Sequence, residues 1–167
     1  MLALQITSLK NFMNHLLAGN TFDIFLLEEA SVTTANIYQI DGHLQKDFLS
    51  EDEMEERTAC ARDFALWSEM KGLCFQLIKG KRTPLAFKFV LRLQPAYLEQ
   101  ILAKANCSIT ASQINAFVLT VKYDGEKASL TTGCAYHTFL MSHEADEIWD
   151  RNLMQYLDKK EISYEKL

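Results

Sequence analysis

One pattern, met twice, restricts the fold of this chain more than any other feature. Phe87, Phe89, Leu91 and Leu93 alternate with Lys88, Val90 and Arg92, the period-two signature of a strand with one buried face. Gln94-Pro95 ends that strand, because proline cannot donate to a ladder but suits the first turn of a helix. Tyr97, Leu98, Ile101, Leu102 and Ala105 follow at helical spacing. After a polar gap, Asn106 to Gln113, the run Ala116 to Tyr123 places Phe117, Leu119, Val121 and Tyr123 on one face. Asp124-Gly125 is a two-residue hairpin signal, since glycine accepts the positive φ such turns require. Glu126 to Thr132 reads as the return strand.

The earlier copy runs from Leu2 to Gly42. Leu2, Leu4 and Ile6 alternate with Ala3 and Gln5, and Ser8 stands where it can cap a helix carrying Leu9, Phe12, Met13, Leu16 and Leu17. Gly19 is a helix stop. Strand-like residues then run from Phe22 to Ile40, with Asp41-Gly42 expected to turn them back. At one common offset Leu2, Leu4 and Ile6 fall on Phe87, Phe89 and Leu91, and Phe12, Met13, Leu16 and Leu17 fall on Tyr97, Leu98, Ile101 and Leu102. The two Asp-Gly turns sit two residues out of that register. Identity between the copies is low, so the expected duplication rests on pattern.

The expected class is α+β: duplicated β-α-β-β(-β) units in a single domain, 1–167. Unit one spans 1–49, a helical insertion 50–82, unit two 83–142 and a C-terminal helix 143–160. In unit one, Glu28-Glu29 breaks an apolar run and marks a bulge, bend or strand end, and His43 to Leu49 is expected as a third strand. The insertion begins with Ser50 and Glu53 in capping-box register, and an acidic first turn suits the helix dipole. Trp67, Met70, Leu73, Cys74, Leu77 and Ile78 form an apolar stripe that Gly72 either divides into two helices or opens to another backbone. In unit two, Gly133 separates Lys127–Thr132 from an extra strand, Cys134–Met141. Ala145, Ile148, Trp149, Leu153, Tyr156 and Leu157 give the last helix its core face, and Glu161–Leu167 is expected to fray.

With 49% apolar residues the 167-residue chain can bury a core, and its net charge of −5 argues against binding nucleic acid through bulk charge, though not through a local basic patch. No apolar run reaches membrane-spanning length. No basic-then-apolar leader precedes Ser8, and a cytoplasmic location is expected. Cys60, Cys74, Cys107 and Cys134 lack CxxC spacing and read as free thiols in a reducing compartment.

Strand, helix, then two or three strands is the repeat unit of the sliding DNA clamps, and the Phe87–Leu91 and Phe117–Val121 strands flanking a helix resemble a clamp half. In such clamps two units form one domain with sheets outside and helices side by side, and several domains close around DNA. The resemblance implies that fold and a helix surface turned to nucleic acid. Clamps line those helices with Lys and Arg, which hold phosphates without reading sequence. Here the first helix offers Lys10, Asn11, Asn14 and His15 and the second only Lys104. The whole chain also resembles an uncharacterised bacterial family, through Leu9-Lys10-Asn11-Phe12-Met13, Leu77-Ile78-Lys79-Gly80-Lys81 with Thr83-Pro84-Leu85, and Thr131-Thr132-Gly133. That resemblance implies no activity.

No catalytic, cofactor or metal motif stands out. Lys79-Gly80-Lys81 lacks the frame of a phosphate loop. His137 and His143, with Glu144 and Asp146, lack convergent zinc spacing. Cys134 with His137 has no orienting third group, so an unreactive strand pair is favoured. One partly buried carboxylate at Glu28-Glu29 is conceivable, but a strand end facing water is the commoner reading. The basic group Lys79, Lys81 and Arg82, with Lys88 and Arg92 on the outward face of the next strand and Lys10 on the first helix, is the foremost partner-binding candidate. Its bland alternative is helix-end capping beside a solvated strand face. The expected function is non-enzymatic binding or scaffolding, with a protein partner first and nucleic acid second. The alternative is an enzyme or small-ligand binder with a pocket between the insertion and a sheet, near Trp67, Cys134 and His137.

Overall fold

The computed structural model describes residues 1–59 and 63–167. Its strands are β1 (Ala3–Ile6), β2 (Phe25–Thr33), β3 (Ile37–Asp41), β4 (Ala65–Leu66), β5 (Ala86–Leu93), β6 (Ile114–Tyr123), β7 (Ala128–Tyr136) and β8 (Tyr164–Lys166). They make one sheet in the order β3-β2-β5-β6-β7-β1-β8, with the short β4 paired to β2. Every pairing is antiparallel. The helices are α1 (Leu9–Met13), which runs on into a π-helical turn, Asn14–Ala18, then α2 (Glu51–Ala59), α3 (Trp67–Ile78), α4 (Pro95–Ala105) and α5 (Glu144–Lys159).

The alternation in β5 has the expected effect: Phe87, Phe89, Leu91 and Leu93 are buried, while Lys88, Val90 and Arg92 stay half-exposed. Helices cover the buried face. Trp67 of α3 packs its ring 5.1 Å from Phe89, Trp149 of α5 stacks 5.2 Å from Phe117, and Phe12 of α1 meets Phe22, which meets Phe25. Leu98 and Leu102 of α4 join the same core. Both indole N–H groups are satisfied, Trp67 by the Leu16 carbonyl and Trp149 by that of Val118, each at 2.9 Å, so the large rings are buried without an orphaned donor. Truncating either to alanine would cost about 3–5 kcal/mol.

The order β-α-β-β occurs twice, as β1-α1-β2-β3 and β5-α4-β6-β7. The pairings are not repeated. Strands β5, β6 and β7 are successive neighbours, whereas β1 leaves β2 and pairs with β7 and β8. The helix neighbours differ too: the π turn after α1 lies on α3, and α4 lies on α5.

Several sequence expectations need correction. The run Phe22–Ile40 is not one strand: β2 ends at Thr33 and turns through residues 34–36 into β3, which is why neither face of Ser31–Ile40 alternates cleanly. Asp41-Gly42 makes no hairpin. Gly42 is buried beside a bulge in β2, between Leu27 and Glu29, and a Cβ there would lie 1.8 Å from the Leu27 carbonyl oxygen. The bulge itself fits the break read at Glu28-Glu29. His43–Leu49 forms a single bridge, His43 to Phe64, and a 3-10 turn, Lys46–Phe48, rather than a strand. Helix α3 passes straight through Gly72, which faces open space. Strand β7 passes through Gly133, so no separate strand begins at Cys134. The tail is ordered as β8 because Leu4, Gln5 and Ile6 offer it a free edge. Ser8 makes no side-chain cap, but the Ser50–Glu53 box forms, with reciprocal bonds of 2.8 and 3.3 Å.

Candidate functional site

The opposite face of the sheet has no helical layer over most of its area. Its surface is a set of cross-strand rows. One row reads Gln39, Ser31, Lys88, Lys122, Ser129, Gln5 and Glu165. The next reads Glu29, Val90, Thr120, Thr131 and Ala3. Small and hydroxyl-bearing side chains keep this face flat. Lys88 and Lys122 sit directly opposite each other, an arrangement of like charges that weakens a sheet. Glu29 approaches Lys88 at 3.6 Å across half-solvated surface, so it relieves little of that repulsion. A shallow pocket of about 510 Å³ lies at this end, bordered by Lys88, Lys122, Lys127, Ser31 and Ser129.

At the other end the insertion folds over the face. Strand β4 pairs with Leu26 and Leu27, and the His43–Phe64 bridge holds the Phe64 ring in place. The guanidinium of Arg92 lies 4.6 Å from that ring's centroid and the His43 ring 4.3 Å from it. Arg92 also meets Glu28 at 3.3 Å. The Asp41 carboxylate accepts from the His43 backbone N–H at 2.9 Å and contacts its Nδ1 at 2.6 Å, and these bonds lower its pKa from the ordinary Asp value. Between α2 and the sheet this leaves a pocket of about 660 Å³, bordered by Lys46, Met54, Arg57, Phe64, Arg92 and Asn115.

The sequence-predicted basic residues do not form one patch. Lys10 is exposed on α1, on the helical side. Lys79 ends α3, its ammonium 6.0 Å from the Phe75 ring, and Lys81 and Arg82 follow in an exposed loop. Lys88 and Arg92 share the face that their alternation implied, but Arg92 lies under Phe64 where the insertion covers the sheet, and each has a glutamate beside it. Lys71 turns away to the Gly19 carbonyl and Asp23, at 2.7 and 2.8 Å. Sequence reasoning missed Lys122, which falls on the polar face of a strand it had identified. It also missed the grouping of Arg57, Phe64 and Asn115. Arg57 was hidden in an acidic run, and nothing local signals that Phe64 returns to His43.

Among the described residues the spot named for a pocket near Trp67, Cys134 and His137 holds none, and the pocket between the insertion and the sheet lies instead beside Phe64 and Arg92. Trp67 is fully buried among core side chains, and His137 points into solvent. Burial and the nearby Asp146 carboxylate push the Cys134 thiol up to about 12, the reverse of an activated nucleophile. Burial likewise raises Cys74 to about 11. Cys74, Cys107 and Cys134 are free; Cys60 lies outside the described residues. Asp146 accepts from the Tyr136 hydroxyl at 2.8 Å, and Asp150 accepts from the Thr132 hydroxyl. These carboxylates fasten α5 to β7. His143 stands 3.8 Å from Asp146 at the start of α5, and no group of three potential metal ligands converges among the described residues. No described helix is long and apolar enough to cross a membrane.

No curated protein and no solved structure matches the chain. A family model does match, over residues 15–165, which takes in the sheet from β2 onward, the insertion and α5. By that match the chain belongs to DUF5721, a family of unknown function.

Proposed function

We propose that this is a binding protein, not an enzyme, and that it meets an acidic protein surface across the uncovered face of its sheet. The observation that carries this reading is the Lys88–Lys122 pair on a flat polar face. Two facing lysines cost the isolated molecule stability, and an opposing carboxylate surface would relieve that cost. The reading keeps Lys88, leaves Arg92 out because it lies under Phe64, and replaces Lys10, Lys79, Lys81 and Arg82 as the centre of the surface with Lys122 and Lys127. Nucleic acid is the second partner class, disfavoured by the net charge of −5 and by Glu28 and Glu29 on the same face.

The clamp-like duplication belongs to this proposal as well. It is supported by the repeated β-α-β-β order and by α1 and α4 sharing one face, and it is opposed by the unequal pairing of β1 and β5. A ring would need several copies, so a monomer at all concentrations in analytical ultracentrifugation would remove the ring version.

The test is a pull-down from native cells with wild type and a Lys88→Glu/Lys122→Glu variant, with and without nuclease. A specific protein captured by the wild type, released by high salt and lost in the variant, supports the reading. Capture unchanged by the variant overturns it, and capture abolished by nuclease transfers the surface to nucleic acid.

A further inference from the structure

We propose that the pocket between α2 and the sheet binds a small phosphorylated molecule, a ligand site separate from the partner surface above. Among the described residues three cations border it, Lys46, Arg57 and Arg92, against one carboxylate, Asp63. This surplus stands out on a chain whose net charge is −5. The acids near it do not consume the donors. Arg92 gives Glu28 a single contact through Nη1 at 3.3 Å, and Arg57 gives only Nη1 to the Glu53 carbonyl at 3.2 Å. A guanidinium carries five N–H donors, so both keep most of theirs. Among the described residues no ion pair involves Lys46 or Arg57.

The geometry also favours a small ligand over a chain. The Arg92 guanidinium carbon lies 4.6 Å from the Phe64 ring centroid, a cation–π contact that anchors at the pocket wall a group suited to planar recognition of an oxyanion. Met54 and Phe64 supply apolar wall, and Asn115 adds an amide to the lining. The volume, about 660 Å³, is that of a small-molecule site, and its lining is predominantly polar and cationic, with Leu44, Met54 and Phe64 as the apolar part. Two guanidiniums and an ammonium match the charge of a phosphomonoester better than that of a single carboxylate.

The test is calorimetric titration of the full chain with inorganic phosphate and pyrophosphate at constant ionic strength, with acetate as the carboxylate control. Saturable phosphate or pyrophosphate binding is expected, weakened by about tenfold or more in Arg57→Gln and in Lys46→Gln. Both positions are on the surface, and circular dichroism checks that the variants fold. Lys159→Gln, exposed in the last turn of α5, is expected to bind as the wild type does. Absence of saturable binding of both probes, equal binding by acetate, undiminished binding in Arg57→Gln, or equal weakening in Lys159→Gln each overturns the site. None of these outcomes bears on protein capture by Lys88 and Lys122, so the two proposals fail separately.

Discussion

The same dipeptide, Asp-Gly, occupies two corners of the sheet and does opposite things. At Asp124-Gly125 the chain turns in solvent. Gly125 has φ of +100°, and the Asp124 carboxylate accepts the backbone N–H groups of Glu126 and Lys127 at 3.0 and 2.8 Å. At Asp41-Gly42 the chain does not turn. Gly42 has no positive φ; it is buried, gives its N–H to the Glu28 carbonyl at 2.9 Å and accepts from Ala65 at 2.8 Å. One glycine serves by its dihedral freedom and the other by lacking a Cβ. The first requirement is local and readable; the second depends on a bulge in another strand.

That contrast can be broken most sharply at Gly42. A Gly42→Ala methyl would overlap a backbone oxygen that cannot swing aside, so the expected loss is about 3 kcal/mol or more, measured by urea denaturation. A loss below about 1 kcal/mol would show that the β2 bulge yields. Gly125→Ala is expected to cost less, about 1–2 kcal/mol, from the left-handed backbone, and its added carbon meets the Leu85 carbonyl at 3.1 Å. D-alanine introduced there by ligation should recover most of that loss, because the cost at 125 is chiefly one of backbone dihedral rather than of space.

The smallest expected effect is an acid one. Backbone N–H bonds from Lys127 and Glu126 lower the Asp124 pKa below the ordinary Asp value. Its contribution is therefore complete above the unfolded Asp pKa, about 3.9, and is lost as pH falls through the folded value. Asp124→Ala should be the less stable protein at neutral pH and converge on the wild type only once the pH has fallen below the lowered folded-state pKa. A gap that persists in acid would mean the side chain acts by shape and not by charge.

Legibility followed the same division. Strands β5 and β6, helix α4 and the 124–125 turn were readable because each is set by neighbours in sequence: alternating Phe87–Leu93, Pro95 at a first turn, a glycine at positive φ. The break at Glu28-Glu29 was visible for the same reason. The 34–36 turn was not, since Thr34-Ala35-Asn36 lacks glycine and proline, and the misplaced Asp41-Gly42 signal drew the turn away from it. Ordering of the tail as β8 follows from the open edge of β1, which no local pattern in residues 161–167 reports. The candidate sites were half legible. Alternation put Lys88 and Arg92 on the outward face, but their neighbours across the strands, Lys122 and Phe64, come from sheet register and a long-range bridge.

The pairing of β8 with β1 has a practical side. Leu167 donates its N–H to the Ala3 carbonyl at 3.0 Å, and Lys166 lies opposite Leu4. Reporter groups fused at either extremity will therefore emerge from one corner of the molecule. A short bridge between positions 1 and 167, with new termini opened in the 34–36 loop, would give a circular permutant that retains every ladder of the sheet. The β2–β3 hairpin would then be held by its ladder alone, as a detachable rim.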